Sequence, residues 1–123
     1  MDFELVNKIK SLETFTTEFL SVVKLTMFDG SAGWGQMSPY NADITSRVFH
    51  RQVAPHVLNI GFSSFKELED LVLAKEHKFP GSYLLRALSG LDTALWDWLG
   101  KREEKPVSAL IGGRLVPLLV YGS

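Results

Sequence analysis

Between Tyr83 and Gly100 the chain sets Leu84, Leu85, Leu88, Leu91, Leu95, Trp96 and Leu99 at helical spacing, apolar round most of the circumference. Whatever this chain folds into is therefore built around that helix. Ser82 is placed to cap it and Gly100 to end it. Arg86, Asp92 and Asp97 fall inside the stretch, and three ionisable groups at membrane depth would cost several kcal/mol, so the helix is expected to be buried in protein and not in lipid. A chain of 123 residues, 46% hydrophobic and 22% charged, supports one core of ordinary globular composition. Its formal net charge of −1 leaves no basic footprint for nucleic acid. The absence of cysteine removes disulfides, thiolate metal sites and a cysteine nucleophile together. Met1 to Val6 lacks the basic, apolar and small-residue order of a secretory leader, which makes the cytoplasm the expected compartment.

The residues ahead of the helix have strand character. Ser11 to Thr17 and Phe19 to Met27 are rich in Thr, Val, Phe and Leu, and Val23, Leu25 and Met27 alternate with Lys24 and Thr26. Asp29-Gly30 supplies a hairpin turn into a third strand, Ala32 to Met37, which gives an antiparallel three-stranded meander. The period then changes. Asp43 is placed to cap a helix over Ile44 to Leu58 that Pro55 ends or kinks, and Ser64 to Glu67 is a capping-box pattern opening a second helix that stops near His77 to Pro80. With the Tyr83–Gly100 helix these make a three-helix bundle, and the fold class is α+β. Pro106 then begins a short turn that ends at Gly112-Gly113. The apolar run Leu118 to Tyr121 reads as a strand buried on both faces of a parallel sheet, so residues 1–113 form one domain and 114–123 begin another.

No catalytic constellation emerges from the residues themselves. Gly30 to Gly35 is not spaced as a dinucleotide fingerprint and reads as hairpin turn, and Gly100-Lys101 lacks the glycine that a phosphate loop requires. His50 and His56 sit about 240° apart on a helix, which argues against a metal pair. His77 falls where a cation suits a helix C-terminus. Asp92 and Asp97 are five residues apart, a poor spacing for a two-carboxylate site, and are expected to hydrogen-bond to neighbouring backbone or to Arg86; Trp34, Trp96 and Trp98 are expected in the core. Two polar loops remain, Thr16-Thr17-Glu18 and Ser38 to Asp43.

Three stretches in order resemble the N-terminal capping domain of the mandelate racemase and muconate lactonizing branch of the enolase superfamily. They are Phe28-Asp29-Gly30 running into Gly33-Trp34-Gly35-Gln36, then Ser89 to Asp97, and Gly100-Lys101 through Pro106-Val107 to Gly112-Gly113. Gln36 departs from the glutamate that many relatives carry. The resemblance implies a cap over the mouth of a (β/α) barrel of about 250 residues, whose first strand would be Leu118 to Tyr121, with Ser123 just beyond it at the reactive end. In the family, a Lys or His of the barrel abstracts the proton α to a carboxylate, and Mg²⁺ held by barrel carboxylates stabilises the enediolate.

Catalytic residues and metal ligands are thus expected outside this chain, which alone should be inactive. The family's two substrate-facing cap loops map onto Thr17 and Glu18 and onto Tyr40 and Asn41, which are the expected substrate-binding residues. The shortness of the first loop and these polar side chains favour a small acid sugar and a dehydratase, with racemase, epimerase or cycloisomerase as alternatives. A homo-oligomer joined to its own barrel is the expected assembly. A free-standing binding or oligomerisation module is the rival outside enzymology.

Overall fold

Alternation along Ser21–Met27 turns Ser21, Val23, Leu25 and Met27 onto one buried face and Val22, Lys24 and Thr26 onto the other. This strand, β2, is the centre of a three-stranded antiparallel sheet in the computed structural model, which describes residues 7–122. It lies between β1 (Ile9–Thr16) and β3 (Ala32–Gln36). A register shift between Ile9 and Ser11 turns Ile9 inward opposite Met27. The β2–β3 turn forms as the Asp-Gly pair demands. Gly30 takes φ 89°, and Asp29 Oδ1 accepts from the Ser31 N–H at 2.9 Å.

The helical half differs from expectation at its joints. The helix expected from Ile44 begins earlier as α1 (Ala42–Val48), with left-handed Asn41 at its cap and Asp43 merely in its first turn. It then widens into a π-helical segment, Phe49–Val53, before α2 (Ala54–Val57). Pro55 accounts for the widening, because its ring would collide with the carbonyl four residues back; the Ala54 N–H reaches Phe49 O instead. In α3 (Phe65–Lys75), Ser64 Oγ accepts from the Glu67 N–H at 3.3 Å, while the Glu67 carboxylate accepts from Ser63 N–H and Oγ.

The long helix α4 runs Gly81–Glu103, one residue ahead of Ser82 and three beyond Gly100. It closes on left-handed Glu104: the Lys105 N–H donates to Gly100 O and the Glu104 N–H to Lys101 O, a Schellman closure without glycine at the left-handed position. Gly100 is needed beside that closure, where a Cβ would meet Lys105 O. A short α5 follows (Val107–Leu110).

Helix α4 lies directly on the sheet. A Cβ on Gly33 would strike Ala94 O and Trp98 N, and one on Gly35 would strike Gly90 O and Ala94 N. These two glycines are therefore strand residues selected by a backbone-to-backbone approach, and only Gly30 of the glycine-rich stretch serves the turn. Leu84, Leu91, Leu95 and Trp98 of α4 meet Val23, Leu25, Met27, Phe49 and Val53 in one core. Of the three tryptophans only Trp98 is fully in it. Trp96 is half-buried, and Trp34 is 41% exposed on the outer face of the sheet, 5.7 Å from the Phe15 ring and under Lys24 Nζ.

Leu118–Tyr121 forms no strand among the described residues and is exposed. A parallel strand takes its hydrogen bonds from neighbours on its flanks, and this run has none here. Ser123 lies outside the described residues. No helix among those described is long and apolar enough to cross a membrane.

Candidate functional site

Strand register brings the two polar loops together. The pair Thr16↔Ser21 closes the β1–β2 hairpin, and the Thr17 N–H donates to Leu20 O at 2.7 Å across its tip. The Met37 N–H donates to Ser21 O at 2.9 Å, so the chain leaving β3 runs beside that hairpin before Ser38–Asn41. Thr17, Glu18, Tyr40 and Asn41, separated by some twenty residues in sequence, thus share one end of the sheet.

Their side chains are not equivalent. Thr17 and Glu18 are exposed, and Tyr40 is 67% exposed. Asn41 is half-buried, and its Nδ2 donates to Tyr83 Oη at 2.7 Å, which ties the loop to the start of α4. Arg86 adds a second tie: its guanidinium lies 6.0 Å from the Tyr40 ring and 5.3 Å from the Tyr83 ring. Asn41 and Arg86 hold the loop, and Tyr40 presents it.

Two residues at this end escape the sequence reading. Phe19 (66% exposed) and Leu20 (44%) were expected to start β2, yet both belong to the hairpin tip. The available signal is that strict alternation begins only at Ser21. The site therefore offers apolar as well as hydroxyl and carboxylate groups.

Other chemistry-bearing residues lie elsewhere. His56 Nε2 sits 2.8 Å from Glu76 Oε2, and Gln52 Nε2 donates to Glu76 Oε1, so these partners hold the Glu76 carboxyl below its ordinary range. His50 faces Thr14 instead, so the two histidines do not converge. His77 Nδ1 donates to Ala74 O at 3.1 Å, just past the end of α3. Asp97 Oδ2 accepts the Trp34 N–H at 2.8 Å and pairs with Lys101 Nζ at 2.7 Å, covering an outward N–H of the edge strand β3. Asp92 does not meet Arg86; it faces Glu69 of α3. Among the described residues no three His, Cys, Asp or Glu converge on a point that would hold a metal ion.

Burial first, and then the hydrogen bond and charge of Asp92, push the Glu69 carboxyl up to about 7 from its ordinary 4.5. Between those two values the folded chain binds the extra proton, so stability falls as pH rises through the window and stays lowered above it. Asp29, Glu67 and Glu76 are shifted the other way, and their contribution is lost only in acid. Thermal unfolding measured from pH 4.5 to 8 should show the decline in the wild-type chain. Glu69→Gln should flatten it and be the more stable form at pH 8; an unchanged slope in the variant would assign the decline to other groups.

The chain matches the model of the mandelate racemase/muconate lactonizing enzyme N-terminal domain over residues 6–112. It is 33% identical over 85 residues to a hydrophobic dipeptide epimerase from Flavobacteria bacterium (strain MS024-2A), covering 68% of this chain and 23% of that protein. It is 28% identical over 110 residues to a D-galactonate dehydratase family member from Paenibacillus sp. (strain JDR-2), covering 88% and 27%. A crystal structure provisionally named a racemase, from Roseobacter denitrificans, superposes with a TM-score of 0.84 at 51% identity over 87% of this chain and 29% of that one. A mandelate racemase/muconate lactonizing protein from Paracoccus denitrificans PD1222, complexed with magnesium, superposes at 0.75 with 31% identity over 86% and 30%. The chain spans about a quarter of the length of these two curated relatives.

Proposed function

Because the chain belongs to the mandelate racemase/muconate lactonizing enzyme N-terminal domain family of the enolase superfamily, we propose that its loop end forms one wall of a substrate pocket completed by a barrel outside these residues. Residues 1–113 are the cap in this reading, and 114–123 lead into the barrel. The substrate is a small carboxylate, an acid sugar in the first instance, and the reaction is a dehydration that begins with loss of the α-proton. Similarity to the Paenibacillus dehydratase family member supports that choice. The observation that carries the reading is the placement of Thr17, Glu18 and Tyr40 at the same end of the sheet, each exposed and able to bond hydroxyl groups. The described residues do not fit a magnesium ion, so the metal is assigned to the barrel, and this chain's part is to close over the substrate, exclude water and select by contact.

Phe19 and Leu20 favour a second reading, a carboxylate with an apolar substituent, in line with the similarity to the dipeptide epimerase. Kinetics of the barrel-bearing enzyme with Mg²⁺ on acid sugars and on hydrophobic dipeptides separate the two. Tyr40→Phe should lower kcat/KM for the acid sugar by about tenfold, one hydrogen bond's worth, with unfolding temperature unchanged. Leu20→Ser should do so for the dipeptide. Indifference of both substrates to both variants would remove these loops from the pocket, and turnover by the isolated 123-residue chain would refute the cap reading.

A further inference from the structure

Beneath the two loops runs a chain of hydroxyls that spans four elements. Thr16 Oγ1 donates to Ser46 Oγ at 3.2 Å and lies 2.8 Å from Ser21 Oγ. Ser46 Oγ lies 3.0 Å from Thr14 Oγ1, which lies 2.7 Å from His50 Nε2. Ser21 and Ser46 are buried, where an unpartnered hydroxyl would be costly, and each finds its partner inside the chain. A hydroxyl has one proton to give. With that of Thr16 spent on Ser46, the direction that keeps every proton within the chain runs Ser21 to Thr16 to Ser46 to Thr14 to His50. His50 Nε2 is then the final acceptor, and the ring proton sits on Nδ1.

The π-helical segment brings the imidazole to this place. Phe49 is fully buried, and its ring stands edge-on to that of His50, 5.4 Å between centroids, which holds the histidine at the rim of the core beside β1. The far end of the chain is the hairpin mouth, where Ser21 O also accepts the Met37 N–H. One residue, Ser21, therefore joins the hydroxyl chain to both loops.

We propose that His50 is a positioning residue: through Thr14, Ser46 and Thr16 it locks the β1–β2 hairpin mouth onto α1 and so fixes the loop Thr17–Leu20 relative to Ser38–Asn41. The lock itself rests on geometry; its effect on catalysis rests on the reading of those loops as a substrate wall.

Thr14→Val in the 123-residue chain deletes the central hydroxyl while keeping its shape, and Thr14→Ser restores it. Amide hydrogen exchange at Thr17 and Met37 should quicken about tenfold in the valine variant and return to within about twofold in the serine variant, with Leu25 and Trp98 unaffected in both. In the neutral ring the ¹⁵N signal of His50 Nε2 should be that of the tautomer protonated on Nδ1, a preference lost in Thr14→Val. Ser46→Ala interrupts the same chain from α1 and serves if the valine variant does not fold.

Unchanged exchange at Thr17 and Met37 would overturn the proposal, as would equal acceleration across the whole sheet or failure of serine to rescue. In the barrel-bearing enzyme the valine variant should raise KM with kcat nearly unchanged. Quickened exchange with KM unmoved would leave the lock standing and remove the loops from the pocket.

Discussion

Gly35→Ala is expected to destabilise the chain by about 3 kcal/mol or more, beyond the usual range for one added methyl, because the obstacles are backbone atoms that no rotamer change moves aside. The new Cβ would enter the space held by Gly90 O and Ala94 N of α4. The helix would have to lift from the sheet along the line where Leu91, Leu95 and Trp98 are buried. Thermal unfolding should show a midpoint lower by about 10 °C or more, or no cooperative transition at all. Gly61→Ala is the matched control: its Cβ would lie 3.6 Å from flexible Lys8 Cε, and an effect within about 0.5 kcal/mol is expected. Equal behaviour of the two variants would mean that α4 does not press on β3 as described.

Asp97→Ala is expected to lower stability by about 2 kcal/mol, the range for a hydrogen bond to a charged acceptor. It leaves the Trp34 N–H on the edge of β3 without its carboxylate and Lys101 without its partner. Asp97→Asn separates the two contributions, since its carbonyl oxygen still accepts from Trp34 while the ion pair is lost. Both ends of that pair are substantially solvated, so the asparagine variant should lose less than about 1 kcal/mol. Chemical denaturation of the three chains measures this directly. Equal losses for alanine and asparagine would shift the weight from the edge strand to Lys101.

The same residues show where local reading succeeds. Ser64 is found as a cap because its hydroxyl acts on an N–H three residues away, and Asp29-Gly30 as a turn because the left-handed position falls within four residues. Asp97 was expected to bond to neighbouring backbone or to Arg86, and it bonds to backbone of another element instead. Its partner, Trp34, is 63 residues distant, and nothing local names it. For Asp92 the expectation was neighbouring backbone or Arg86, yet the guanidinium turns to Tyr40 and Tyr83 and the carboxylate to Glu69. Phe19 and Leu20 were counted into β2 from their composition, and only strand pairing shows that the ladder closes at Thr16↔Ser21 and leaves them on the tip.

By itself the sequence determined the three strands, the three main helices and the family, because periodicity, caps and turns act over a few residues and survive without neighbours. Tertiary packing alone decided why Gly33 and Gly35 must be glycine, that the chain leaving β3 is hydrogen-bonded to the β1–β2 hairpin at Ser21, and that Ser21, Thr16, Ser46, Thr14 and His50 form a single chain. These are contacts between groups far apart in sequence. Their geometry is set by strand register and by the passage of α4 over the sheet, quantities that no window along the chain contains.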